Sequence, residues 1–369
     1  MLYALGIKLT EVWGPFRLLG SHLFLIAVGA LLSCLLVLVL LPKLWDRLPR
    51  DRGRIHTPSP KLSHGKPTGA GLLIFALTLV PMLLVVPGDW RHYGVIGCIG
   101  ISMLFGYLDD RSTKPWGRTT KGITDLLVAV SAAYFVSGGQ SVPMWLPLWS
   151  ESINVPLWLY LPLAGAILWL AVNATNCSDG VDGLAGTLTL VSLGFLAVLL
   201  YAVIGHRDVA NYLLLPHRAD AASWAVMIFC VVGGLAGYLW HNAEPSRILM
   251  GDAGSRFLGL LVGVAVLLTA NPFMVAVVAP VVLLNGGTGL LKILLLKTLG
   301  RIGFDVSIPS RESPGNHHVL VRALHAVRFP LHDHCRARLG WSNAQVLMRF
   351  TLIQIALTPL LFVLLIKIR

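Results

Sequence analysis

The sequence predicts an all-α polytopic membrane protein, a single integral-membrane domain of about ten transmembrane helices. Three observations carry that prediction. Of the 369 residues, 56% are hydrophobic and only 12% are charged, whereas a water-soluble domain carries about a quarter charged residues. Many apolar runs approach the roughly 20 residues that a helix needs to cross a hydrocarbon core. Most of the 29 Lys and Arg residues fall in alternate connections between those runs, the pattern of cytoplasmic loops. A soluble globule is excluded. The formal charge of +12 points to loops near anionic lipid before it points to nucleic acid, which is not expected as a partner.

Span one covers 22–41, an unbroken apolar run. Residues 1–20 lack a basic start and a small-residue cleavage site, so this span is expected to be retained rather than cleaved as a signal peptide. A basic, Pro- and Gly-rich stretch at 43–67 separates it from span two at 68–87. Span three, 94–108, is short and stops at Asp109-Asp110; span four, 122–138, begins after Lys121. Span five, 156–172, leads into a polar loop from Asn173 to Leu184, and span six covers 184–204. Span seven, 223–240, is followed by His241 to Arg247 and then Gly251 to Ser255, which opens the short span eight, 255–270. Span nine, 273–296, is interrupted by Asn285-Gly286-Gly287-Thr288-Gly289, a place for a helix to bend or open toward a groove. A basic stretch at 297–345 holds His317, His318, His325, His332 and His334, and span ten covers 346–366.

The basic residues concentrate after spans one, three and nine, which assigns the odd-numbered loops to the cytoplasm. Trp90, Trp145, Trp149, Trp158, Trp224 and Trp240 fall near span ends and are expected to anchor the chain at the membrane surface. The five cysteines are odd in number and form no Cys-x-x-Cys pair, so neither a disulfide framework nor a zinc site is indicated.

The carboxylates carry the chemistry. Asp46, Asp51, Asp109, Asp110, Asp179, Asp182, Glu244, Asp252, Asp305, Glu312 and Asp333 all lie in odd-numbered loops, where charge close to the hydrocarbon is costly unless paired or metal-bound. Asp109-Asp110 places two like charges at a helix C-terminus, where the dipole already disfavours them, and so asks for a cation; a plain surface turn is the alternative. The loop Asn173-Ala174-Thr175-Asn176-Cys177-Ser178-Asp179-Gly180-Val181-Asp182-Gly183 offers amides and carboxylates to a nucleotide or sugar edge, and glycines that admit a ligand to the backbone. Its alternative is a polar turn with a helix cap at Asp182. Asp252, between glycines at a helix start, could hold a metal while neighbouring N–H groups meet phosphate, and is also a candidate N-cap for span eight. His332 and His334 could grip a phosphate or lie in a solvated loop.

These strings, on one predicted face, resemble the polyprenyl-phosphate N-acetylhexosamine-1-phosphate transferase superfamily over about residues 60 to 350. Within it the similarity is greatest to the branch whose donor carries N-acetylmuramoyl-pentapeptide. The cues are Met1-Leu2-Tyr3, Pro67-Thr68, Pro330-Leu331-His332-Asp333-His334, Gly340-Trp341-Ser342 and Val346 to Phe350. The chain departs from that branch at Asp333, where the middle of three histidines is usual, and at Lys66 before Pro67. Arg311 to His318 is extra sequence, and its paired histidines are similar to those of the N-acetylglucosamine branch.

The resemblance implies an Mg2+-dependent phosphoglycosyl transferase of the bacterial inner membrane. Undecaprenyl phosphate would attack the β-phosphorus of a UDP-linked amino sugar, release UMP and leave the first lipid intermediate of peptidoglycan; a UDP-N-acetylglucosamine donor is the alternative. It implies Asp109, Asp110 and Asp252 as catalytic residues, with Asp252 the principal Mg2+ ligand and Asp109 the base for the lipid phosphate. Asn173, Asn176, Asp179, Gly180, Val181, Asp182 and Asn242 would line the nucleotide-sugar pocket. His332 and His334 would hold the sugar-phosphate or its side chain, and Lys121 or Lys66 would balance charge. A homodimer is left open. A lipid or ion transporter is the more distant alternative, but only Asp125 is a candidate acid inside a span, and no inverted repeat is visible.

Overall fold

A computed structural model of the chain describes residues 1–51, 64–149, 151–307 and 318–367. Residues 311–317 of the extra sequence, with His317, and the middle of the 43–67 stretch lie outside the described residues. In chain order the elements are α1 (Leu2–Leu9), α2 (His22–Leu44), α3 (Gly71–Val85), α4 (Trp90–Arg111) and α5 (Arg118–Ser137). A two-stranded antiparallel hairpin follows, β1 (Val142–Met144) with β2 (Ile153–Val155). Then come α6 (Leu157–Ser178), α7 (Leu184–Leu199), α8 (Arg207–Tyr212), α9 (Ala221–Asn242) and α10 (Gly251–Leu268). The rest is α11 (Met274–Val278), α12 (Pro280–Val282), α13 (Thr288–Arg301), α14 (Val319–Ala326), α15 (Leu331–Leu339) and α16 (Asn343–Lys367).

Each of the ten expected spans is helical, and seven helices among the described residues are long and apolar enough to cross a membrane. The chain is a multi-pass membrane protein. The two short spans, three and eight, begin four residues earlier than hydropathy suggested, each for a capping reason. α4 starts at Trp90 because the Asp89 carboxylate accepts N–H groups from Arg91 (3.0 Å) and His92 (3.4 Å) while the His92 ring returns to the Asp89 N–H. α10 starts at Gly251 because a carboxylate from another helix, Asp110, caps it.

α10 is the axis of the bundle. All of its residues are buried, and it packs against α3, α4, α6 and α7. Close approach at its first turn requires glycine. A Cβ on Gly106 of α4 would lie 2.3 Å from the Asp252 carbonyl oxygen, and Gly251 has a φ of 70° with Asp110 Oδ2 2.5 Å from where its Cβ would stand. Span nine breaks as the glycine cluster suggests, into α11, α12, a widened turn at Leu283–Gly287 and α13, which buries none of its residues.

The tryptophan reading needs correction at two positions. Trp90, Trp149, Trp158 and Trp240 are exposed, but Trp145 and Trp224 are buried. Their indole N–H groups have found protein acceptors, Thr269 O at 2.9 Å and Asp220 Oδ2 at 2.9 Å, so both rings seal the bundle end formed by the hairpin. Asp220 there also meets Arg91 (3.0 Å) and Arg218 (2.7 Å). Burial pushes its carboxyl up, and the two guanidiniums and the Trp224 N–H outweigh that and hold it below the usual carboxylate range.

Gly106→Ala should lower the melting temperature of the detergent-solubilised protein, because the added methyl must push α4 off α10 at a cost of about 1–3 kcal/mol. Gly97→Ala on the same helix, where a Cβ meets nothing within 4 Å, is the control and should leave the melting temperature unchanged.

Candidate active site

Four helix ends converge opposite the hairpin: the C-termini of α4 and α6 and the N-termini of α5 and α10. Asp109, the last-turn acid of α4, accepts the Trp116 N–H on Oδ1 (2.7 Å) and pairs with Lys121 Nζ through Oδ2. Lys121, in the first turn of α5, also donates to Asp252 Oδ2 at 2.8 Å. Asp252 Oδ1 accepts from the Asn176 amide at 3.1 Å, and that amide also donates to Ser255 Oγ at 3.0 Å. The cation that adjacent acids require is thus supplied internally by Lys121, between carboxylates from two helices.

Asp110 plays a different part from its neighbour. Its two oxygens accept the Asp252 and Ala253 N–H groups, each at 3.0 Å, and so cap α10 and place negative charge at its positive dipole end. This corrects two expectations. Asp252 is not the N-cap but stands in the first turn, and the N–H groups beside it are bonded to Asp110 rather than open to phosphate. The same bonds place Asp110 and Asp252 at one end of the bundle, as a shared site demands.

A second group lies beside the first. Asp182 Oδ2 accepts the Ser246 N–H (3.1 Å) and stands 3.8 Å from Lys66 Nζ, which donates to Ser246 Oγ at 3.0 Å. Asp182 is not the cap of α7; that position is Gly183, whose φ of 77° suits glycine. Asn242 is buried and spent on backbone, accepting from Gly183 N (2.8 Å) and donating to Ile248 O (2.7 Å), so it ties two loops together. Asn173 donates back to Trp169 O (2.9 Å), Val181 is buried in the core, and Asp179 and Gly180 follow the end of α6.

His332 and His334 separate. They lie on α15, where residues two apart point to nearly opposite faces. His332 is buried; its backbone N–H donates to Asn285 Oδ1 (2.9 Å) and its ring meets the same oxygen at 3.1 Å. Its Nε2 lies 2.1 Å from where a Cβ on Gly180 would be, so only glycine lets the α6 loop pass. His334 turns away and accepts the Arg328 N–H at 3.2 Å. A paired histidine grip does not form.

Sequence reasoning missed Arg256. It is 2% exposed, and its guanidinium lies 3.3 Å from Asp125 Oδ1, 3.7 Å from Asp252 Oδ2 and 4.0 Å from Asp109 Oδ2. The signal was present: Asp125 and Arg256 are opposite charges in two apolar segments, each costly in a membrane without a partner.

Among the described residues no three His, Cys, Asp or Glu side chains are arranged to hold a metal. Two carboxylates do converge on one cation, Lys121. That donor set fits Mg2+, which is commonly held by one or two carboxylates together with substrate phosphates, and does not fit an all-protein calcium or zinc cage.

Asp110→Ala should cost about 1 kcal/mol through loss of the α10 cap. The check is a lowered melting temperature together with faster amide exchange at Asp252 and Ala253, and unchanged exchange there would reject the capping role.

The glycosyl transferase family 4 model matches residues 92–270, the segment from α4 through α10 that holds Asp109, Lys121, Asn176 and Asp252. The phospho-N-acetylmuramoyl-pentapeptide-transferase of Treponema pallidum (strain Nichols) is 41% identical over 360 residues, covering 97% of this chain and 94% of the relative. That of Aquifex aeolicus (strain VF5) is 30% identical over 340 residues, covering 88% and 92%. That of Borreliella burgdorferi (strain ZS7) is 27% identical over 366 residues, covering 96% of each. With relatives matched at this level over nearly its full length, the chain belongs to the phospho-N-acetylmuramoyl-pentapeptide-transferase family.

Proposed function

We propose that the protein transfers phospho-N-acetylmuramoyl-pentapeptide from its UDP donor to undecaprenyl phosphate, releasing UMP and forming the first lipid intermediate of peptidoglycan. Family membership over nearly the whole chain supports the donor over UDP-N-acetylglucosamine. The observation that carries the chemistry is the pair of carboxylates, Asp109 and Asp252, closed on one cation at the end of apolar helices. The basic residues of the loops at this end support placing the site on the cytoplasmic face of the bacterial inner membrane.

A phosphate oxygen of the lipid forms a bond to the β-phosphorus of the donor while the bond from that phosphorus to the bridging oxygen breaks, and UMP carries away the oxygen and its electron pair. A phosphate monoester has a second pKa near ~6, so the attacking oxygen is largely deprotonated at neutral pH. Asp109 would orient the acceptor and take a residual proton; alignment is the larger requirement. Lys121 offsets repulsion between these acids and two anionic reactants, each unit-charge contact at ~4 Å otherwise costing on the order of 4 kcal/mol.

Asp252, with Asp109 beside it, would hold Mg2+, which when bound supplies charge neutralisation of the pyrophosphate. Asn176 keeps Asp252 aimed through its 3.1 Å bond. Asp179, Gly180, Asp182, Lys66 and His332 would form the donor side of the site. Asn173, Val181 and Asn242 support its walls from behind, and His334 is left outside it. The broken ninth span would admit the lipid sideways from the bilayer.

Purified protein given undecaprenyl phosphate and both UDP-sugars should form the muramoyl-pentapeptide lipid, and should stop when the divalent cation is chelated. Formation of only the N-acetylglucosamine lipid would overturn the donor. Asp252→Asn should lower turnover by at least about a hundredfold, the scale of a lost electrostatic stabiliser. His332→Ala should cost more than about tenfold and His334→Ala less than about threefold, a split set by which ring faces the site.

A further inference from the structure

Helices α5 and α10 both begin at the site, and each carries two charges one turn apart. α5 presents Lys121 and Asp125; α10 presents Asp252 and Arg256. Facing one another, they make two rungs of opposite polarity: Lys121 to Asp252 at 2.8 Å, and Asp125 to Arg256 at 3.3 Å. The second rung lies deeper, with both side chains almost wholly buried. From there the Arg256 guanidinium faces the undersides of Asp252 and Asp109 at 3.7 Å and 4.0 Å, beyond hydrogen-bonding distance.

We propose that Asp125 and Arg256 are a positioning pair: Asp125 tethers the guanidinium beneath Asp252 and Asp109, so that it moderates their charge without closing on either. This rests on the reading that those two acids receive a divalent cation. In the apolar interior a guanidinium is drawn to the nearest carboxylate. Held by Asp125, it closes on neither acid, so an incoming cation has only the Lys121 ammonium to displace from them. Released, it would fold onto Asp252, one turn before it on the same helix, and compete with the cation directly. Removed, it would leave the acids more negative than before. The two single neutralisations therefore act on cation affinity with opposite sign. A purely structural ion pair would not behave so, because loss of either partner strands a buried charge and loosens the same packing.

The test is binding of Mn2+, read by the loss of its free-ion electron paramagnetic resonance signal, to the full-length protein in detergent without substrates. Asp125→Asn should weaken Mn2+ binding by about tenfold (~1.4 kcal/mol), and Arg256→Gln should tighten it by a similar factor. Arg256→Lys, which keeps the charge, should stay between wild type and Arg256→Gln. Shifts of the two single variants in the same direction, or no shift in either, overturn the positioning role while the cation site stands. Failure of the wild-type protein to bind Mn2+ overturns the cation reading and this inference with it. Should a single variant not yield monodisperse protein, Asp125→Asn/Arg256→Gln strands neither charge. It should bind Mn2+ at least as tightly as wild type, since the nearer charge removed is positive, and weaker binding contradicts the proposal.

Discussion

The bonds from Asp110 to the Asp252 and Ala253 N–H groups in the first turn of α10 hold this end of the bundle in register. They join the C-terminus of one helix to the N-terminus of another, where the dipoles favour a negative side chain on the second and disfavour it on the first. Because α10 is buried along its whole length, its position sets that of every helix around it. Asp252 enters the site from the turn that Asp110 caps, and its carboxylate meets Lys121 and Asn176. Gly106 and Gly251 make the approach short enough for the cap to reach.

Charge inside the bundle is ordered rather than merely tolerated. Asp109, Asp125 and Asp252 alternate with Lys121 and Arg256 over two helical turns, so each of these three acids has a cation nearby and the Arg256 guanidinium is buried among them. Such burial is costly, and packing alone would be served as well by apolar side chains. The cluster sits where the helices end and the family model matches, so its cost is offset at the site rather than elsewhere in the fold.

Much of this is legible in the sequence. Ten helical segments follow from apolar run lengths, and the convergence of Asp109, Asp110 and Asp252 follows from the parity of the crossings. What could not be read is which side-chain atoms are spent on backbone groups of other segments. Asn242 reads as a ligand amide and turns out to hold loops together; Asp182 reads as a cap and bonds Ser246 from another loop. His332 and His334 look paired when the segment is taken as a loop, and separate once it is a helix. The start of α10 was obscured because its cap comes from a residue 142 positions away in sequence, beyond any local pattern. Arg256 went unread because an arginine near a span end passes for a surface anchor, although its partner in α5 was visible as the one acid inside a span.

On the reading proposed above, Asp109 and Asp252 would receive one divalent cation between them. The most direct measurement is anomalous scattering from crystals of the protein grown with Mn2+ and a UDP-sugar. One peak is expected at ~2 Å from an Asp252 carboxylate oxygen, on the Asp109 side. A peak placed instead among Asp182, Lys66 and Ser246, with Lys121 still joining Asp109 to Asp252, would contradict it.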